Sequence, residues 1–385
     1  MKKITGIVII ILLMISGCGG SKQSIDDFIT VDVTKNYPKK ELILQDFMDV
    51  EYIALETNDD FLTQGMVRAI GKDVIIITNQ INDGDIFVFD KSGKGVRKFN
   101  HIGQGPGEYA NILEIILDDD NDEMFIFVYP EKVLVYDLYG KFKRRFKQKE
   151  NIRYDHIYNY DINYLICHDG NLYFEEDAER NASSFFIVSK QDGNIIKEIE
   201  IPFKKQKSLL ILDQNAGTIR FAYYCPITLY NDNWILMSLS SDTIYRLQPD
   251  FSMIPFLVRI PSIQSMDTEI FLSQHILTDR YYFMESIKKE QSSFNRKKMM
   301  YDKQEKTIHE YTVFNNDYSV RIETMVTSLF LRTISKDIAF YEILEAYKLV
   351  DAYKKGELKD GKLKEIASTL DVEDNPVIML VKHKK

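Results

Sequence analysis

A hairpin pattern returns along this chain at a nearly constant interval, and that interval restricts the fold more than any other feature. In Ile86–Phe99, IFVFDKSGKGVRKF, the apolar run Ile86–Phe89 is joined by the turn residues Asp90 to Gly93 to a second run holding Val96 and Phe99. Asp and Gly suit a tight turn because Gly takes positive φ without strain. The design recurs at Val133–Phe146 with Asp137 and Gly140, and at Phe185–Ile199 with Gly193. Weaker copies span Thr243–Ile260, turning near Asp250, and Lys298–Val313, turning near Glu305. From 93 through 140, 193 and 250 to 305, the steps are 47, 53, 57 and 55 residues. A period of this size made of strands and turns predicts a radial array of β-sheets, a propeller.

Each hairpin is expected to follow inner strands. These are Gly65–Lys72 and Asp73–Asn79 for the first, Asn111–Asp118 and Glu123–Tyr129 for the second, and Asn171–Glu176 for the third. Trp234–Ser240 and Tyr281–Ile287 serve the fourth and fifth, and Tyr318–Thr327 with Leu329–Ser335 form a sixth pair. Two strands have no local partner, Val50–Thr57 (VEYIALET) and Pro376–His383 (PVIMLVKH). An unpaired edge invites aggregation, so pairing the two in one blade protects both and closes the ring. The expectation is an all-β, six-bladed propeller over 46–385. Asp337–Leu370 has apolar residues at helical spacing and predicts a short two-helix insertion, 337–370, in the last blade.

The first residues read as a leader. Lys2 and Lys3 precede an apolar run, Ile7–Ile15, too short to span a bilayer, and Ile15-Ser16-Gly17-Cys18 resembles the lipobox of bacterial lipoproteins. The expectation is a signal peptide over 1–17, a lipid-modified Cys18 and a polar tether over 18–45. Several acyl chains together hold a protein on a membrane where one does not. Without Lys2 and Lys3 the chain has 47 basic against 58 acidic residues, a net charge of about −11. Such a surface argues against nucleic acid as a partner. Cys167 and Cys225 are then the remaining cysteines, and a disulfide and two buried thiols are both open.

Catalytic signatures are sparse. Gly103-Gln104-Gly105-Pro106-Gly107-Glu108-Tyr109 is glycine-rich but matches neither GxGxxG nor GxxxxGK[ST], and no helix follows it. It reads as a crossover between blades, with Glu108 and Tyr109, together with Arg68, as the candidate ligand-binding residues at the channel. Asp118–Glu123, DDDNDE, lacks the glycine and distant glutamate of an EF-hand and reads as a solvated turn. His101, His156, His168, His275, His309 and His383 show no HExxH spacing, and there is no GxSxG.

VEYIALET, the hairpin IFVFDKSGKGVRKF with GQGPGEY, DTIYRL at 242–247 and the closing DNPVIMLVKHK resemble the six-bladed β-propeller lipoproteins of Bacteroides relatives, which are similar in style to NHL-repeat propellers. The likeness runs from about Asp46 to Lys384 and departs in the fourth and fifth hairpins, which lack the Asp-x-x-Gly turn. It implies the fold and an outer-membrane, envelope-anchored location, periplasmic or surface-facing, and assigns no catalytic residue or cofactor. The leading functional expectation is a non-catalytic binding or scaffold module for a protein, glycan or small molecule. The alternative is a metal-dependent hydrolase or lyase with its site at the central channel.

Overall fold

The computed structural model describes residues 28–173, 184–213, 217–326 and 336–384. The leader and Cys18 lie outside these residues, as do 329–335 and half of the strand expected over 171–176, of which 171–173 form a 3-10 turn.

β1 (Ile29–Asp32), β2 (Lys39–Ile43), a single helical turn α1 (Leu44–Phe47) and β3 (Met48–Ala54) come first. Blade one is β4 (Met66–Ile70), β5 (Val74–Thr78), β6 (Asp85–Asp90) and β7 (Gly95–Asn100). Blade two is β8 (Glu114–Asp118), β9 (Glu123–Val128), β10 (Lys132–Asp137) and β11 (Phe142–Lys147). Blade three is β12 (Tyr154–Asn159), β13 (Tyr164–Asp169), β14 (Phe185–Ser189) and β15 (Ile195–Ile199). A separate hairpin, β16 (Leu210–Asp213) and β17 (Thr218–Phe221), precedes blade four, made of β18 (Ile227–Tyr230), β19 (Asn233–Leu236), β20 (Thr243–Leu247) and β21 (Met253–Ile260). Blade five is β22 (Ile270–Leu277), β23 (Tyr281–Lys289), β24 (Phe294–Asp302) and β25 (Thr307–Phe314). Blade six joins β26 (Ile338–Leu344), β27 (Val377–His383) and β3, with α2 (Ala346–Lys354) and α3 (Lys362–Ala367) between β26 and β27. The chain is a six-bladed β-propeller.

Closure follows the expected route. β27 runs antiparallel to β3 from Val377 opposite Ala54 to His383 opposite Met48. Six apolar layers separate neighbouring blades and complete the ring. Ile53, Ile378 and Leu380 of blade six meet Val67, Ile75 and Phe87 of blade one, for example, and Phe125 and Phe127 of blade two meet Leu165 and Phe186 of blade three. The second strands are buried on both faces, which is why EMFIFV and VIIIT are continuous apolar runs, whereas the outer strand GVRKFN alternates between half-buried and exposed. Burying one large apolar side chain in such a layer contributes about 2 kcal/mol.

The five turn positions share one backbone geometry. Gly93, Gly140 and Gly193 have φ of 90°, 84° and 78°, and where the glycine is lost Phe251 and Lys306 take φ of 65° and 52°. Gly93 also answers a close approach, since a Cβ there would lie 2.0 Å from the carbonyl oxygen of Ala54.

Four expectations need correction. Residues 318–326, expected as an inner strand of the sixth pair, form no strand and only isolated bridges at Tyr318 and Glu323, since 319–323 are exposed throughout and bury no alternate face. Residues 29–43, placed in the tether, form β1 and β2, which pair in parallel with β21 and β25 and cover the outer edges of blades four and five. Blade three draws its inner strands from 154–169 rather than from 171–176, because His156 sits at a bulge with φ of 45° and its polar neighbours break the apolar pattern. Ile338–Leu344, assigned to the helical insertion, is strand β26, since its spacing suits either element and pairing with β27 decides.

Candidate functional site

Strand direction sorts the loops. Neighbouring strands within a blade are antiparallel, so the blade-to-blade crossings and the turns from second to third strand share one face, here the loop face. The other face carries the remaining tight turns. Large exposed apolar side chains occur in the loop-face segments, and Val96, Phe142, Ile196 and Ile254 are exposed on outer strands near the turns of the opposite face. Leu62, Ile81, Leu113, Tyr129, Ile219 and Tyr347 all lie on loop-face segments, together with Val320, Ile322 and Met325. Against these, Tyr139 and Ile162 stand exposed in turns of the opposite face. The loop face is further built up by the β16–β17 hairpin, whose β17 is exposed throughout, and by α2 and α3.

The three residues expected at one ligand site are separated by the fold. Tyr109 is wholly buried in the layer between blades one and two. Its hydroxyl donates to the Gly84 carbonyl at 2.8 Å and accepts from the His101 amide at 3.0 Å. Burial pushes its pKa up to about 12, so the phenol stays protonated. Glu108 is exposed and folds back on its own loop, accepting from the Gly105 amide at 2.8 Å. The loop closes through Gly103 N–H to Tyr109 O and Tyr109 N–H to His101 O, and it packs on Tyr136 and Phe142 of β10 and β11. The GQGPGEY segment is therefore a crossover braced on the outer half of blade two.

Arg68 sits elsewhere, on the inner strand of blade one. It is the extra residue of a bulge, with Val67 opposite Ile77 and Ala69 opposite Ile76. Val67 packs towards blade six and Ala69 towards blade two, so Arg68 belongs to neither layer. Its Nε donates to the Thr78 hydroxyl at 2.8 Å and its Nη1 to the Leu113 carbonyl at 3.3 Å. Burial lowers its pKa, and the neighbouring Tyr341 works weakly the other way.

Two buried polar groups escaped the sequence reading. Between blades three and four, Cys225 hydrogen-bonds His156, and the Tyr158 hydroxyl lies 3.7 Å from its Sγ. Burial opposes charge on both partners, yet their mutual hydrogen bond lowers the Cys225 pKa and raises that of His156. Cys167 packs in the layer towards blade two, on the opposite face of the blade-three sheet from the side that meets Cys225, and both are free thiols. In blade five, His275, at a second inner-strand bulge, is 3.3 Å from Glu285, which also pairs with Arg296. The detectable signal was a histidine within a strand, clearest for His275 between Phe271-Leu272 and Ile276-Leu277.

The acidic run 118–123 is a turn whose ends are not solvated. Asp118 is buried 2.6 Å from the Lys190 ammonium, and Glu123 binds Arg144 through both carboxylate oxygens at 2.6 and 2.7 Å. Those carboxylates are engaged by cations of this chain. No group of three His, Cys, Asp or Glu side chains is arranged to hold a metal ion among the described residues.

Comparison with solved structures agrees with the fold. A Bacteroides fragilis NCTC 9343 protein, provisionally described as exported, superposes with a TM-score of 0.56 at 17% identity over 90% of this chain and 99% of its own. BamB from Moraxella catarrhalis gives a TM-score of 0.39 at 10% identity over 87% and 99% of the two chains. Virginiamycin B lyase from Staphylococcus aureus gives 0.32 at 12% identity over 65% and 88%. A comparison with curated proteins returned no match. The model of one family spans residues 28–382, nearly all of the propeller, and the chain belongs to that family, described as Domain of unknown function (DUF4934).

Proposed function

We propose that this chain is a non-catalytic binding or scaffold module of the bacterial envelope, anchored through lipid on Cys18 and engaging its partner with the loop face. The single observation that carries the reading is the set of large apolar side chains exposed along the loop-face segments, Leu62, Ile81, Leu113, Tyr129, Ile219 and Tyr347 among them. Soluble proteins rarely leave contiguous apolar patches in water unless something covers them. A closed ring with six buried layers gives such a patch a rigid base, and rigid bases are where binding loops are commonly carried. The likeness to a protein provisionally described as exported supports an envelope setting, and the lipobox-like Ile15–Cys18 supports an outer-membrane anchor.

The test is a photoreactive residue placed at Tyr129 on the loop face or at Tyr139 on the opposite face of the full-length protein in its native envelope. Discrete adducts from position 129 alone are expected, and adducts from neither position or equally from both overturn the reading. In parallel, Cys18→Ser should move the protein from the membrane fraction to the soluble fraction; retention on the membrane overturns the anchor.

A further inference from the structure

Arg68 differs from four engaged cations of this protein in what surrounds it. Lys190 faces Asp118, Arg144 faces Glu123, Arg296 faces Glu285, and Lys40 faces Asp302. Arg68 has a hydroxyl and a backbone carbonyl, both neutral, and no carboxylate among the described residues is close enough to act on it. Those two bonds use Nε and one N–H of Nη1, and leave Nη2 with no recorded acceptor. A guanidinium has five N–H donors and keeps its charge when buried, so a half-buried one without a counter-charge is under-compensated. A bulge sets the side chain apart from both neighbouring layers.

The position is also informative. The bulge lies one step from the loop-face end of the innermost strand, next to the propeller axis. Leu113, whose carbonyl takes the Nη1–H, and Met66, at the head of β4, leave their side chains exposed at the same end. A cation held within an apolar rim is the arrangement that recognises an anion carried on an apolar group, because the guanidinium fork pairs with the two carboxylate oxygens while the rim takes the attached hydrocarbon.

We propose that Arg68 and its rim form a recognition site for a carboxylate borne on an apolar group, such as the C-terminal residue of a peptide. This rests on the loop-face reading and names the chemistry that reading leaves open. Charge-assisted pairing at a partly desolvated guanidinium is stronger than a neutral hydrogen bond, so loss of the fork should weaken binding about tenfold or more.

The test uses N-acetyl-leucine, its neutral amide N-acetyl-leucinamide, and acetate, each titrated calorimetrically into the full-length protein and into Arg68→Gln and Arg68→Lys. Saturable binding of N-acetyl-leucine is expected, with acetate weaker, the amide at least tenfold weaker, and the acid reduced at least tenfold by Arg68→Gln. Arg68→Lys keeps the charge without the fork and should bind at an intermediate level, which preserves the test if the glutamine variant fails to fold. Equal binding of acid and amide, no saturation by the acid, or unchanged affinity in both variants overturns the proposal. If photoadducts at position 129 persist while any of these results holds, the loop face remains a docking surface and only its carboxylate specificity falls.

Discussion

The Lys40 ammonium lies 2.9 Å from Oδ2 of Asp302, a contact between residues 262 positions apart that pins strand β2 to the outer edge of blade five. Asp302 is fully buried. It also receives Arg280 at 3.1 Å and the amides of Gln304 and Glu305 at 2.9 and 3.2 Å. One carboxylate thus shapes the fifth hairpin turn and holds the N-terminal arm.

This carboxylate gives a pH prediction. Burial alone would raise its pKa, but the hydrogen bonds from Arg280, Lys40 and the two amides outweigh burial and hold it well below the ordinary carboxylate value. A depressed folded-state pKa contributes stability above the unfolded value, near 4, and that stability is lost as pH falls through the folded value. Asp302→Asn should therefore destabilise by about 3 kcal/mol at neutral pH. The gap to the parent protein should narrow progressively below about pH 4. Urea midpoints at pH 7, 5 and 3.5 check this; a gap that widens towards acid contradicts the assignment.

Tyr109 is expected to act on stability rather than on binding. Removing its hydroxyl leaves the Gly84 carbonyl and the His101 amide without their partner in a dry layer, at a cost of about 1–2 kcal/mol. Tyr109→Phe should lower the unfolding midpoint accordingly while photoadducts at position 129 stay unchanged. Loss of the adducts at an unchanged midpoint would instead place Tyr109 in the binding surface.

The hairpin glycines can be separated from glycines that only need positive φ. Gly193 and Gly356 have similar φ, 78° and 70°. A Cβ at Gly193 would lie 2.4 Å from the Phe146 ring, whereas nothing lies within 4 Å at Gly356. Alanine at either position meets the left-handed backbone penalty of about 1 kcal/mol. Gly193→Ala adds overpacking of about 1–3 kcal/mol. Calorimetric melting should rank Gly193→Ala well below Gly356→Ala, and equal losses would show that blade two yields freely at Phe146.

The ring is legible in local pattern: the spacing of the hairpin turns sets the blade number, and the two orphan strands point to the closure seen between Val377–His383 and Met48–Ala54. These are legible because strand alternation and turn chemistry are local properties. Turn position was legible even near Asp250 and Glu305, where the glycine is lost, and the positive φ falls one residue on, at Phe251 and Lys306. The remaining features depend on contacts between distant segments. β1 and β2 add to blade edges through backbone pairing, with only a few side chains such as Val31, Leu42 and Lys40 anchoring them, so a largely polar segment resembles a tether until its partner is in place. The bulges at Arg68, His156 and His275 each add one residue to a strand and redirect a side chain, a shift that periodicity registers only as noise. That is why Glu108 and Tyr109, neighbours in a conspicuous loop, went to the braced crossover, while Arg68, in an ordinary strand, was left beside the axis with its charge unmet. Sequence proximity sets what a residue can be, and the long-range packing of blades sets which of its groups remain to meet a ligand.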